Sequence, residues 1–97
     1  MNETLIHGPV TRELSIINVK GLHARASAKF VETVERFDAE ATVEKDGISV
    51  SGDSIMGLLM LAAPRGTSIR VTTTGAQAQE LADALTALVG DYFGEGM

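Results

Sequence analysis

Residues 41–51 read Ala41-Thr42-Val43-Glu44-Lys45-Asp46-Gly47-Ile48-Ser49-Val50-Ser51, two short alternating runs about an Asp-Gly pair. Asp-Gly tolerates the left-handed backbone that a tight two-residue turn demands, and alternation gives each run one inward and one outward face. The segment therefore predicts a β-hairpin, with Ala41, Val43, Ile48 and Val50 turned inward. A hairpin of this size cannot stand alone, so the flanking sequence must supply strands and helices to cover it.

Downstream, Ser54 is a helix N-cap candidate ahead of Ile55-Met56-Gly57-Leu58-Leu59-Met60-Leu61, a run that Pro64 and Gly66 bring to an end. The spacing predicts a short, unusually apolar helix. Thr67 to Thr74 follows, with Ile69, Val71 and Thr73 alternating against Ser68, Arg70 and Thr72, as a strand requires. Ala78, Leu81, Ala82, Leu85, Leu88 and Val89 then form an apolar stripe opposite Gln79, Glu80, Asp83 and Thr86, which predicts a long C-terminal helix.

Upstream, Phe30, Val31, Val34 and Phe37 recur at helical spacing, with Lys29, Glu32, Thr33, Glu35 and Arg36 expected on the opposite side. Ala24, Ala26 and Ala28 extend that helix backwards until Gly21 breaks it, which puts His23 at or just before its first turn. Leu14 and Ile16 alternate with Glu13, Ser15 and Ile17 in a first strand, and Lys20-Gly21 turns the chain. The order strand, helix, strand, strand, helix, strand, helix predicts an α+β, open-faced β-sandwich: a four-stranded antiparallel sheet with three helices on one face. Residues 1–11 are expected as a loose extension carrying His7, residues 12–91 as the domain, and residues 92–97 as a C-terminal tail.

A chain of 97 residues fits one domain, and the absence of cysteine excludes thiol catalysis, thiolate metal sites and disulfide scaffolds. A formal net charge of −5 argues against a nucleic acid or an anionic membrane as main partner. Met1-Asn2-Glu3-Thr4 lacks a basic start followed by an apolar run, and the longest apolar stretch, Ile55 to Ala63, is too short to span a bilayer, so a cytoplasmic protein is expected. His7 and His23 give no metal-ligand spacing, and no Gly-rich phosphate loop with its lysine is present, so neither metal nor cofactor is expected.

His23 is the residue through which chemistry enters. A helix start carries unpaired N–H groups and roughly half an elementary positive charge, which favours a neutral, nucleophilic imidazole and attracts a phosphate. Arg25, two residues on, offers a guanidinium fork to the same oxygens. An imidazole both attacks phosphorus and leaves from it readily, so this arrangement suits a reversible carrier. On position alone an unreactive helix-start histidine is the better fit. A hydrolase using His23 as acid or base lacks a second partner in the sequence, His7 lying in the expected extension.

The string Gly21-Leu22-His23-Ala24-Arg25-Ala26-Ser27 closely resembles the active-site signature of the HPr family, the histidine-containing phosphocarriers of the phosphoenolpyruvate-dependent sugar phosphotransferase system (PTS). Asp53-Ser54-Ile55-Met56-Gly57 resembles the family's second signature, around its regulatory serine, at the family's distance from the histidine, and the element order agrees from about Arg12 to Val89. Many members have proline where this chain has Ala26. The resemblance implies an HPr-like fold and a carrier that is not itself an enzyme. It implies that His23 accepts a phosphoryl group on Nδ1 from phosphorylated enzyme I and passes it to EIIA proteins, assisted by Arg25. It further implies Ser54 as a target of HPr kinase/phosphorylase, Ile55, Met56 and Leu59 as the docking patch, and a monomer. A regulatory, nitrogen-type PTS paralogue and a plain interaction module are the alternatives.

Overall fold

The computed structural model describes residues 8–97; the expectation for residues 1–7, His7 included, lies outside them. The elements run β1 (Val10–Ser15), α1 (Ala24–Glu35), β2 (Glu40–Lys45), β3 (Ile48–Ser51), α2 (Ile55–Met60), β4 (Ser68–Thr74) and α3 (Ala78–Gly90), closed by a single 3-10 turn at Tyr92–Gly94. The strands form one sheet in the order β1-β4-β2-β3, every pair antiparallel. This is the expected open-faced sandwich, with α1, α2 and α3 on one face.

The hairpin forms as its residues dictate. Asp46 (φ 52°) and Gly47 (φ 81°) both take the left-handed conformation, and Lys45 pairs with Ile48 across the turn. Its inward face is only partly as expected: Ala41 and Val43 are buried, Val50 is half-buried, and Ile48 is exposed. The cause is the reach of α2, which packs on the edge strand at Val50; a Cβ at Gly57 would stand 2.9 Å from Val50 Cβ. Ile48 lies nearer the turn than that contact.

Leu14 and Ile16 from the β1 side, Val43 from β2, and Ile69 and Val71 from β4 face Phe30, Val34, Leu58, Leu81 and Leu85, all buried, and these residues form the core. Thr73 is buried as well, its hydroxyl donating to the Ala78 carbonyl at 2.7 Å and tying the end of β4 to the start of α3. Thr33, expected on the polar side of α1, is also buried. Its hydroxyl donates back to the Lys29 carbonyl at 2.9 Å, which satisfies the one polar atom that would oppose burial.

Both expected boundaries move outward. β1 begins at Val10, inside the stretch expected as extension, because Val10 and Thr11 pair with Thr73 and Thr72 of the long strand β4. The tail expected for residues 92–97 is instead part of the fold. Phe93 is fully buried in the core, and the left-handed backbone at Tyr92 (φ 57°) and Phe93 (φ 54°) turns the chain sharply enough to put it there.

Candidate functional site

The loop before α1 is shaped by Gly21. Its φ of +66° suits glycine, and any Cβ there would stand 2.6 Å from the Ala63 carbonyl oxygen and 2.9 Å from Pro64 Cα. The loop therefore lies directly on the segment after α2, and the Leu22 N–H donates to the Ala63 carbonyl at 2.9 Å. Leu22 is buried beneath, and the next residue, His23, emerges as the N-cap of α1 with extended backbone angles (φ −79°, ψ −176°).

The ring caps its own helix. Nδ1 of His23 accepts from the Arg25 backbone N–H at 3.2 Å, so Nδ1 carries a lone pair and the ring proton belongs on Nε2. Nε2 faces the carboxylate of Glu95, to which it donates. Glu95 in turn accepts from Asn18 Nδ2 at 3.0 Å, and the same amide donates to the Gly21 carbonyl at 2.8 Å. Both hydrogens of the Asn18 amide are thus committed, one to the loop that presents His23 and one to the carboxylate beside it. His23, Arg25, Lys20, Lys29 and Glu95 border an open cleft of about 680 Å³. Three of those five are cations, a lining suited to an anion.

Burial works to raise the Glu95 carboxyl, but hydrogen bonds from Asn18 and His23, with the charge of Lys29, hold it below its ordinary value of 4.5. A carboxyl lowered on folding contributes stability that is complete above its unfolded pKa and is lost as pH falls through the folded one. Acidification below 4.5 is therefore expected to release the C-terminal residues from His23 and Asn18. The side-chain amide resonances of Asn18, followed by NMR from about pH 6 to about pH 3, should move only as the pH falls below 4.5.

Ser54 lies apart from this cleft as the N-cap of α2, its Oγ accepting from the Gly57 N–H at 2.9 Å, as expected. Asp53 turns instead to Ser51, whose hydroxyl donates to it at 2.6 Å. On α2, Leu58 is buried while Ile55, Met56 and Leu59 are exposed, Met56 at 70%. Met60, also 70% exposed, completes that apolar face, and the sequence reading omitted it. The spacing 55, 56, 59, 60 was the available signal. Glu95, Asn18 and Lys29 were missed too. Glu95 stands 72 residues from His23, and no local pattern links the two.

The model for the PTS HPr component phosphorylation site matches residues 10–91. The chain belongs to the HPr family. It is a phosphocarrier of the PTS by that membership. The phosphocarrier protein HPr of Neisseria meningitidis is 52% identical over 85 residues, 88% of this chain and 96% of that one. HPr of Cupriavidus necator is 45% identical over the same shares. Among solved structures, HPr-C-His of Thermoanaerobacter tengcongensis superposes with a TM-score of 0.82 at 38% identity, covering 93% of this chain and 99% of that one. HPr of Bacillus anthracis gives 0.79 at 40%, covering 82% and 95%. Among the described residues no helix is long and apolar enough to cross a membrane, and no cluster of metal-ligating side chains is present.

Proposed function

We propose that His23 is the phosphoryl acceptor and donor of this chain, taking the group on Nδ1 from phosphorylated enzyme I and handing it to EIIA proteins of the PTS. The observation that carries the reading is the N-cap geometry, in which Nδ1 is unprotonated and points at the backbone donors of the first turn of α1. In the transfer the Nδ1 lone pair leaves the Arg25 N–H and forms the new N–P bond. The donor's bond to phosphorus breaks, and its electron pair stays on the donor. The freed N–H groups of the helix start, with the exposed Arg25 guanidinium at the cleft edge, then meet the phosphoryl oxygens. Few groups hold them, so the group is as ready to leave as to arrive, and the chain acts as a covalent intermediate rather than an enzyme.

Ile55, Met56 and Leu59, with Met60, are the surface on which partners seat. Unbranched methionine adapts to differently shaped partners in turn. Ser54 is a site of regulation by HPr kinase/phosphorylase: a phosphate at an N-cap is electrostatically favoured by the helix start, so its effect falls on partners through charge placed beside the apolar face. The carrier works as a monomer in the cytoplasm, although HPr of Thermoanaerobacter tengcongensis has also been crystallised as a dimer.

The test is intact mass after incubation with phosphoenolpyruvate, magnesium and enzyme I. One acid-labile phosphoryl adduct is expected. A folded chain that takes none from an active donor overturns the acceptor reading and favours a plain interaction module. Transfer onward to a sugar-specific EIIA, against a nitrogen-type one, separates the sugar branch from the regulatory branch.

A further inference from the structure

The last residues of the chain return across the molecule and stop at His23, and they are held at several points along the way. Phe93 is fully buried in the core and anchors the segment. The Lys29 ammonium, from the second turn of α1, donates to the Phe93 carbonyl at 2.8 Å. Asn18, itself fully buried, donates to one oxygen of Glu95, and His23 Nε2 donates to the other. The Val19 N–H donates to the Met97 carbonyl at 3.4 Å, beyond the carboxylate. Glu95 ends with a side chain only 16% exposed and both oxygens engaged, a degree of fixation that a freely solvated glutamate does not have.

We propose that Glu95 is a positioning residue for phosphoryl transfer at His23, delivered by a C-terminal strap that Phe93, Lys29 and Asn18 secure. The inference rests on the reading of His23 as the acceptor. As the Nδ1 lone pair is given to phosphorus, the ring acquires positive charge that is shared onto Nε2–H. A carboxylate already aimed at that N–H stabilises the charge at the moment it develops and needs no reorganisation to do so. Nε2 keeps its proton throughout, and Glu95 forms no bond to phosphorus. Because attack and departure pass through the same transition state, the carboxylate speeds both directions. The other charged side chains around the ring, Lys20, Arg25 and Lys29, line the cleft and are all cationic, so among the described residues Glu95 carries the one acidic side chain bordering it.

The experiment uses the full chain with phosphorylated enzyme I, and measures the maximal transfer rate and the half-saturating concentration separately for the parent, Glu95→Ala and Glu95→Gln. Glu95→Ala is expected to lower the maximal rate by about tenfold or more while half-saturation holds, since the apolar face of α2 is untouched. In histidine-labelled protein the Nε2-bound proton should be protected in the parent and exchange freely in Glu95→Ala. Glu95→Gln keeps an acceptor of the same size without the charge, so it should restore the proton signal and only part of the rate. Parent-like transfer in both variants overturns the proposal. So does a loss confined to half-saturation, which would make the strap a docking element. A parent that takes no phosphoryl group overturns the acceptor reading and this inference together.

Discussion

Replacing His23 by asparagine is expected to abolish phosphoryl acceptance while leaving the chain folded. Asparagine is among the best N-cap residues, so its side-chain oxygen can take over the Arg25 N–H that Nδ1 accepts in the parent. The helix start keeps its cap, where alanine at the same position would remove it at a cost of about 1 kcal/mol. What asparagine lacks is a nitrogen lone pair able to bond phosphorus, so no residual carrier chemistry is expected. Intact mass after incubation with the donor should show the adduct on the parent alone, while thermal unfolding should place the two chains within a few degrees. An adduct that persists on His23→Asn would move the phosphoryl group to another residue and remove the basis of the proposed function.

Phe93→Ala is expected to be the most destabilising of the changes considered for the C-terminal segment, at about 3–5 kcal/mol. The side chain is fully buried in the main core, and its removal leaves a cavity among residues of α1 and α3 that cannot close around an alanine. Against a total of about 5–15 kcal/mol for a small domain, this is a large fraction. At roughly 4 °C or more per kcal/mol, the melting temperature should fall by at least about 12 °C. Reading residues 92–97 as a tail predicts no change, so calorimetry on this one variant decides between the two. A melting temperature within about 2 °C of the parent's would show that the strap contributes little to the fold, since a shift that small corresponds to under 1 kcal/mol. The loss should extend to the site, because the same segment carries Glu95 to His23.

Both variants probe features that differ in how far apart their causes lie along the chain. The hairpin, the caps at His23 and Ser54, and the stripes of α1 and α3 depend on residues within a turn or two of one another. Such features follow from composition and spacing, and they are where expectation and structure agree. The departures occur where an element's fate depends on what packs over it. Ile48 carries the right alternation for burial but lies beyond the reach of α2, and Thr33 has a polar side chain but sits under the packing of α1 against its neighbours. Val10 and Thr11 join the sheet because β4 is long enough to pair with them.

The sequence by itself determined the order of elements, the presentation of His23 at a helix start with Arg25 beside it, and an apolar face behind Ser54, because each arises from local periodicity and local backbone chemistry. Tertiary structure alone decided that a short C-terminal run with one aromatic anchor would close over the site, setting Glu95 and Asn18 around His23 and Lys29 beneath them. Contacts across 64 to 77 residues exist only once the sheet and helices have assembled, and the energy that selects them is the burial of Phe93 in a core that the rest of the chain must first build.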